Sequence, residues 1–170
     1  MQVLIIHRIS LAEIMHVDAR PAPEKPQSTY QSLPKQFVGP DSWPKYTNLL
    51  CWTCSRVPYG YPRFLPKNAR QSQGRDICEP EGNFCGWPCV GRYIMTEYPR
   101  SQVWDLLQTT LIFARLFEDS RDLREIPIAP RKDIMKPYKG DDGITEEEFQ
   151  AKIDKLLAAA ARAYVSEMKN

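Results

Sequence analysis

Long apolar runs are missing from this chain. Val3-Leu-Ile-Ile6, the longest plainly aliphatic run near the start, falls far short of the roughly 20 residues a membrane-spanning helix needs. No charged, then apolar, then small-residue signal follows Met1, so a soluble, unsecreted protein without a membrane partner is expected. Histidine is scarce: His7 and His16 are the two in 170 residues. Neither lies near a cysteine in sequence, and both read as structural or surface side chains. A glycine-rich phosphate loop, a Gly-x-Ser-x-Gly elbow and a His-Glu-x-x-His helix are all absent. Those signatures of nucleotide, hydrolase and metalloprotease chemistry are excluded, and no small-molecule substrate is indicated.

Net charge is also small, at +2, but it hides a segregation. Residues 20 to 75 hold nine Lys/Arg against Glu24 and Asp41, a local balance of +7. Residues 141 to 170 hold four basic and seven acidic side chains, a balance of −3. The two ends should meet different partners, and the basic half is the one suited to phosphate. A solvated loop that simply carries lysine and arginine is the plainer reading of the same charges.

What the chain does have is a pair-loop-pair of cysteines. Cys51-Trp-Thr-Cys54 is followed, after 30 intervening residues, by Cys85-Gly-Trp-Pro-Cys89. A Cys-x-x-Cys turns both sulfurs toward one ion, and an x3 pair suits a helix start, where i and i+4 side chains share a face. Four soft thiolates at this spacing point to one structural Zn²⁺ held by Cys51, Cys54, Cys85 and Cys89. Free thiols or a redox pair are the alternative. Cys78 is the fifth cysteine and reads as a partly buried thiol, although it could replace one member of the set. Four filled ligand positions leave none open for catalysis, so a non-enzymatic role is expected.

Fifteen prolines, concentrated in the first 100 residues, keep much of the N-terminal half irregular. The expected organisation is a short strand and helix over 1–19, with a Ser10-to-Glu13 capping box, then a proline-rich extended arm over 20–48 lying on a surface. A zinc finger follows over 49–98 and a helical region over 99–170. Within that last region, apolar residues from Val103 to Phe117 recur at helical spacing, predicting a well-covered helix over 101–118 capped by Ser101. Residues 124–143 should be irregular. Thr145-Glu-Glu-Glu148 forms a second capping box and opens a helix running to about Met168. Asp141-Asp142 and Glu146 to Glu148 read as a polar loop and a helix start, not a metal cluster. The fold class is therefore a small α+β zinc-binding domain: a treble-clef-like knuckle, hairpin and helix, followed by two further α-helices, behind an extended proline-rich N-terminal arm.

Between and beside the ligands, Arg56, Tyr59, Tyr61, Arg63, Lys67, Arg70 and Arg75 interleave cations with aromatics, as phosphate contact with base stacking requires. The same mixture equally suits a solvated hairpin whose aromatics pack on the knuckle. Trp87, beside the third ligand, joins this set as a possible partner contact.

Taken together, Trp43-Pro-Lys, Cys51-Trp-x-Cys54, Pro62-x-x-Leu65-Pro66 and Gly82-Asn-Phe84-Cys85-x3-Cys89 resemble an FCS-type (MYM-like) zinc finger. It is the finger of viral late transcription factor two-like proteins of large nucleocytoplasmic DNA viruses. Ile126-Pro-Ile-Ala-Pro-Arg131, the Lys136-to-Gly143 turn and Ile144-Thr-Glu-Glu-Glu-Phe149 are similar to that family's downstream blocks, so the resemblance spans about residues 43 to 155. It implies a zinc-dependent factor for late viral transcription, with the viral transcription machinery and DNA as partners. It also implies action in the host cytoplasm or nucleus, at the viral factory, with packaging in the virion as an option. Gly86 stands where the family carries serine, which puts any surface role of that serine in doubt while leaving the ligands intact. A structural virion protein, whose arm drapes over neighbouring virion proteins, is the competing reading.

Overall fold

Two stretches flanking Gln73-Gly74 pair as β1 (Arg63–Ser72) and β2 (Arg75–Phe84), an antiparallel hairpin running from Arg63 opposite Phe84 to Ser72 opposite Arg75. A two-residue connection needs positive φ at both central positions to match strand twist, and Gln73 (50°) and Gly74 (72°) supply it. Register shifts at Arg63/Leu65 and Lys67/Arg70 bend the ribbon. Its two ends differ accordingly: Phe64, Leu65, Ile77, Cys78 and Phe84 are buried, while 68 to 75 stand in solvent.

These elements come from a computed structural model that describes residues 32 to 162. The strand and helix expected over 1–19, both histidines, the arm up to residue 31 and the helix end toward Met168 lie outside the described residues.

Helix α1 (Trp87–Glu97) starts directly after the third cysteine, with Gly86 at the cap and Pro88 in the first turn, where its missing N–H has no intrahelical partner to lose. Its buried face is Trp87, Cys89, Val90 and Ile94. Gly91 lies against the backbone of the Ile126-to-Ala129 segment: a Cβ there would stand 2.6 Å from the Pro127 carbonyl oxygen. Two further bonds fix that segment on the helix, Ala129 N–H to the Pro88 carbonyl (2.9 Å) and Arg92 Nε to the Ala129 carbonyl (2.7 Å).

Helix α2 (Arg100–Ala114) differs from its sequence expectation at both ends. Pro99, already extended at ψ 149°, takes the cap position, so Ser101 falls inside the first turn and caps nothing. At the other end, i→i+3 bonds from Leu116 to Phe113 and from Phe117 to Ala114 tighten the chain out of the helix, and Phe117 reaches the core from that turn. Nor is the helix well covered. Only its C-terminal half meets the hairpin side, burying Thr110, Leu111, Phe113 and Ala114, whereas Trp104 is 68% exposed and Ile112 54%.

A one-turn helix, α3 (Lys136–Lys139), interrupts the stretch expected to be irregular, with Pro137 in its first turn and Gly140 ending it at φ 81°. Helix α4 (Glu146–Arg162) follows. Its capping box is present: Thr145 N–H donates to Glu148 Oε2 (2.7 Å) and Glu148 N–H to Thr145 Oγ1 (3.2 Å). Phe149, Ile153 and Ala160 form its buried stripe.

Over its described part, residues 32 to 48, the proline-rich segment is mostly exposed but sends Phe37 and Trp43 into the core. Phe37 is fully buried and forms a backbone bridge with Cys78 (2.9 and 3.2 Å). Its ring centroid lies 5.0 to 5.8 Å from those of Phe64, Trp43, Phe113 and Phe117. Trp43 is buried beside it and donates its indole N–H to the Pro62 carbonyl (2.7 Å). Prolines hold this segment to a single 3-10 turn, Pro40–Ser42, but do not forbid burial, and aromatic area supplies the driving force.

Phe37→Ala should therefore cost about 3–5 kcal/mol of stability, whereas exposed Val38→Ala should cost under about 0.5 kcal/mol, both read by denaturant unfolding of the metal-loaded chain. Cys78 gives a pH signature. Burial, with Glu79 nearby, pushes its thiol from 9.0 up to about 12. The folded state thus holds the proton after the unfolded state has lost it. Stability from this group is intact below pH 9 and declines as pH rises toward 12. The alkaline decline should be shallower in Cys78→Ala, measured against the parent chain.

Candidate metal centre

The knuckle begins with a tight backbone turn. Ser55 N–H donates to the Cys51 carbonyl and Cys51 N–H to the Arg56 carbonyl, both at 2.8 Å, with Ser55 in the left-handed region at φ 61°. This turn points Cys51 and Cys54 inward. Trp52 N–H bonds the Asn83 carbonyl (2.8 Å), and Asn83 Nδ2 reaches back to the Leu49 and Leu50 carbonyls (2.8 and 3.1 Å). The knuckle is thereby fixed to the end of β2, one residue before Phe84 and two before Cys85. Thr53 Oγ1 donates to the Cys89 carbonyl (2.8 Å) and closes the ring onto α1.

The consequence is a convergence of four thiols. The Sγ atoms of Cys51, Cys54, Cys85 and Cys89 all lie within 4.8 Å of one another, with Cys54–Cys85 at 3.3 Å and Cys85–Cys89 at 3.5 Å. All five cysteines are free of disulfides. A tetrahedral zinc with Zn–S near 2.3 Å sets neighbouring sulfurs about 3.8 Å apart, so the cluster has the right size for one such ion. Cys78, held away by its bridge to Phe37, is not part of it.

Arg56 supplies an independent test of fit. The side chain is 7% exposed, and its guanidinium donates to Cys54 Sγ (3.5 Å, Nε), Cys85 Sγ (3.8 Å, Nη2) and the Glu146 carbonyl (3.5 Å, Nη1). No carboxylate of the described residues pairs with it. A buried guanidinium needs a counter-charge, and the sulfurs of Cys54 and Cys85, to which it donates, are placed to provide one. Burial alone would lower the Arg56 pKa, yet the Cys54 hydrogen bond and the charge of the cysteine cluster outweigh it and raise the value. Hydrogen bonds from Cys51, Cys85 and Cys89, with Arg56 beside them, pull Cys54 far down, while the bonds to Cys51 and Cys54 push Cys85 and Cys89 up. Four thiols so close, with a guanidinium aimed at them, fit a bound cation. Bound zinc would supply structural cross-linking at these four residues.

The structure divides the other candidate contact residues sharply. Arg56 is buried against the cysteines and does not face solvent. Trp87, 1% exposed, is also a core side chain, its indole N–H donating to Ser120 Oγ (3.0 Å) and its rings beside Phe64 and Phe117. Tyr61 stacks on Phe117 (4.3 Å between centroids) and donates to Asp119 (2.6 Å); burial raises its pKa to about 12. Arg63 spends its fork on the carbonyls of Tyr59, Tyr61 and Cys85 and on Asp119 (3.2 Å). Lys67 is half-buried and bonds the Tyr98 hydroxyl (3.1 Å). Tyr59, Arg70 and Arg75 alone of the set stand free in solvent, Tyr59 at 75% exposure and the arginines near the hairpin tip.

A surface that sequence reasoning missed lies on the far side of the knuckle. Trp52, 55% exposed, lines an open cleft of about 310 Å³ with Thr53, Arg92, Tyr93, Arg131 and Lys132. The signal was present: the two residues between knuckle ligands must point outward when the ligands point in. A partner for that tryptophan could not be read from sequence, because Arg92 and Arg131 join it only through the packing of 126–131 on α1.

If the cluster holds the metal, the purified chain should carry one zinc per molecule. Serine at Cys51, Cys54, Cys85 or Cys89 should abolish both metal and cooperative unfolding, while Cys78→Ser keeps its zinc, as read by elemental analysis and circular dichroism.

No family model matches the chain, and no solved structure matches it. Over 136 residues it is 27% identical to the uncharacterized protein B175L of African swine fever virus, in the Pretoriuskop tick isolate and the Badajoz strain. That alignment covers 79% of this chain and 76% of the relative. The form from a Kenyan pig isolate is 28% identical over 127 residues, covering 74% and 71%. This chain thus has a homologue in a large DNA virus, and its four clustered cysteines could hold a metal ion.

Proposed function

We propose that the chain is a zinc-dependent, non-catalytic late transcription factor of a large DNA virus, working through nucleic-acid and protein contacts. The observation that carries this reading is the contrast between the centre and its surroundings. Among the described residues the cysteine cluster offers four sulfurs and no fifth group, and a closed four-thiolate site is a structural one. Around it stand aromatics and cations, with acids among them: Trp52 with half-buried Arg92, Lys132, Arg131 paired to Asp133, and Glu97 on one side, Tyr59 beside Glu146, Glu147 and Asp154 near the knuckle, and Arg70 with Arg75 at the hairpin tip. An aromatic platform beside cations is the combination that stacks a base and meets its phosphate. The finger and downstream motifs resembling late transcription factor two-like proteins, together with the viral homologue, support the same direction.

The virion-protein reading is weaker on one specific point. It drew on an arm free to drape over neighbours, but two aromatics of that arm, Phe37 and Trp43, are spent on this chain's own core.

Two measurements test the proposal. Binding of a labelled single-stranded oligonucleotide should weaken steeply between 50 and 200 mM salt. Trp52→Ala should weaken it about tenfold or more at unchanged zinc content, since one stacked base is worth about 1–3 kcal/mol. From infected cells, the tagged protein should co-purify with the viral RNA polymerase. Failure of both contradicts the proposal, and high, regular copy number in purified particles would favour a virion component.

A further inference from the structure

Arg56 joins parts of the molecule that are distant in sequence. Cys54 belongs to the knuckle and Cys85 to the approach to α1, and one guanidinium donates to both. Its third arm reaches the Glu146 carbonyl in the first turn of α4, and its carbon lies 4.9 Å from the centroid of the Phe149 ring. Phe149 is fully buried at this point, and one turn later Ile153 lies against the Gly86 position, beside the third ligand. The start of α4 is thus seated on the cysteine cluster through a side chain that is not a ligand. Elsewhere this helix has thinner anchorage, with Arg124 N–H bonded to the Ala160 carbonyl (3.3 Å) near its far end.

We propose that Arg56 is a positioning residue that couples metal occupancy to the docking of α4, an inference that rests on the metal reading of the four cysteines. A bound ion would hold the four sulfurs together and give the fork two stationary acceptors. That holds the guanidinium plane where its remaining N–H meets Glu146 and its face meets Phe149. With the sulfurs no longer held together, the fork loses its fixed acceptors and the first two turns of α4 lose their seat. Coupling of this kind is reciprocal: whatever loosens α4 must weaken the hold on the metal. Groups that touch a metal's ligands from outside typically change affinity by about 10- to 100-fold when removed.

The test uses the zinc-loaded 170-residue chain and reads hydrogen exchange in α4 alongside zinc release to a competing chelator. Arg56→Ala should speed exchange over 146–153 about tenfold while the protein still binds one zinc, and should speed zinc release by a similar factor. Arg56→Lys keeps the charge but not the fork, and should reproduce the faster exchange. Phe149→Leu alters neither ligand nor arginine, yet should speed zinc release several-fold. Phe113→Leu, a core change on α2 away from the seat, should leave zinc release unchanged and so controls for general loosening. Unchanged α4 exchange in Arg56→Ala with wild-type zinc release in Phe149→Leu would overturn the coupling while leaving the metal reading intact. Should Arg56→Ala not fold, Phe149→Leu against Phe113→Leu decides alone. A wild-type chain that binds no zinc overturns both readings.

Discussion

Four sulfurs brought within one tetrahedron's reach are the constraint on which the rest of this structure depends. Two come from a turn, one from the link between β2 and α1 and one from the first turn of α1, so the chain between the pairs must leave the cluster and return to it. A bent hairpin does this: β1 leaves near Pro62 and β2 returns Asn83 to the knuckle backbone and Cys85 to the cluster. Arg56 then carries the influence of the cluster outward. Among the described residues it is the buried cation that donates to the sulfurs, and thiolates there would balance its charge.

A second organising feature shares the work. The aromatic group of Phe37, Trp43, Phe64, Trp87, Phe113 and Phe117 draws from the proline-rich segment, the hairpin, α1, α2 and the turn after it. No one of these elements could bury its own apolar face. Cysteine cluster and aromatic core meet at α1, whose first turn gives Cys89 to one and Trp87 to the other.

The periodic and cap-marked elements were legible in the sequence. The knuckle-hairpin-helix order followed from cysteine spacing, and the start of α4 from its capping box, because both are local chemistry. Ser101 misled, since Pro99 supplies an extended residue one position earlier and leaves the serine nothing to cap. Arg56, Arg63, Lys67 and Trp87 read as a contact surface because composition does not say which way a side chain points. Asp119, Tyr98, Ser120 and the α4 carbonyl that engage them lie 31 to 90 residues away in sequence. The cleft around Trp52 escaped for the same reason: its cations come from another segment.

The proposed function accordingly rests on the exposed aromatics and cations, with the cysteines as the frame beneath them. X-ray absorption at the zinc edge of the purified chain tests that frame most directly. A single shell of four sulfurs at about 2.3 Å, with no nitrogen or oxygen neighbour, is the predicted spectrum. A shell with nitrogen or oxygen ligands, or cysteines found paired as disulfides without metal, would contradict it.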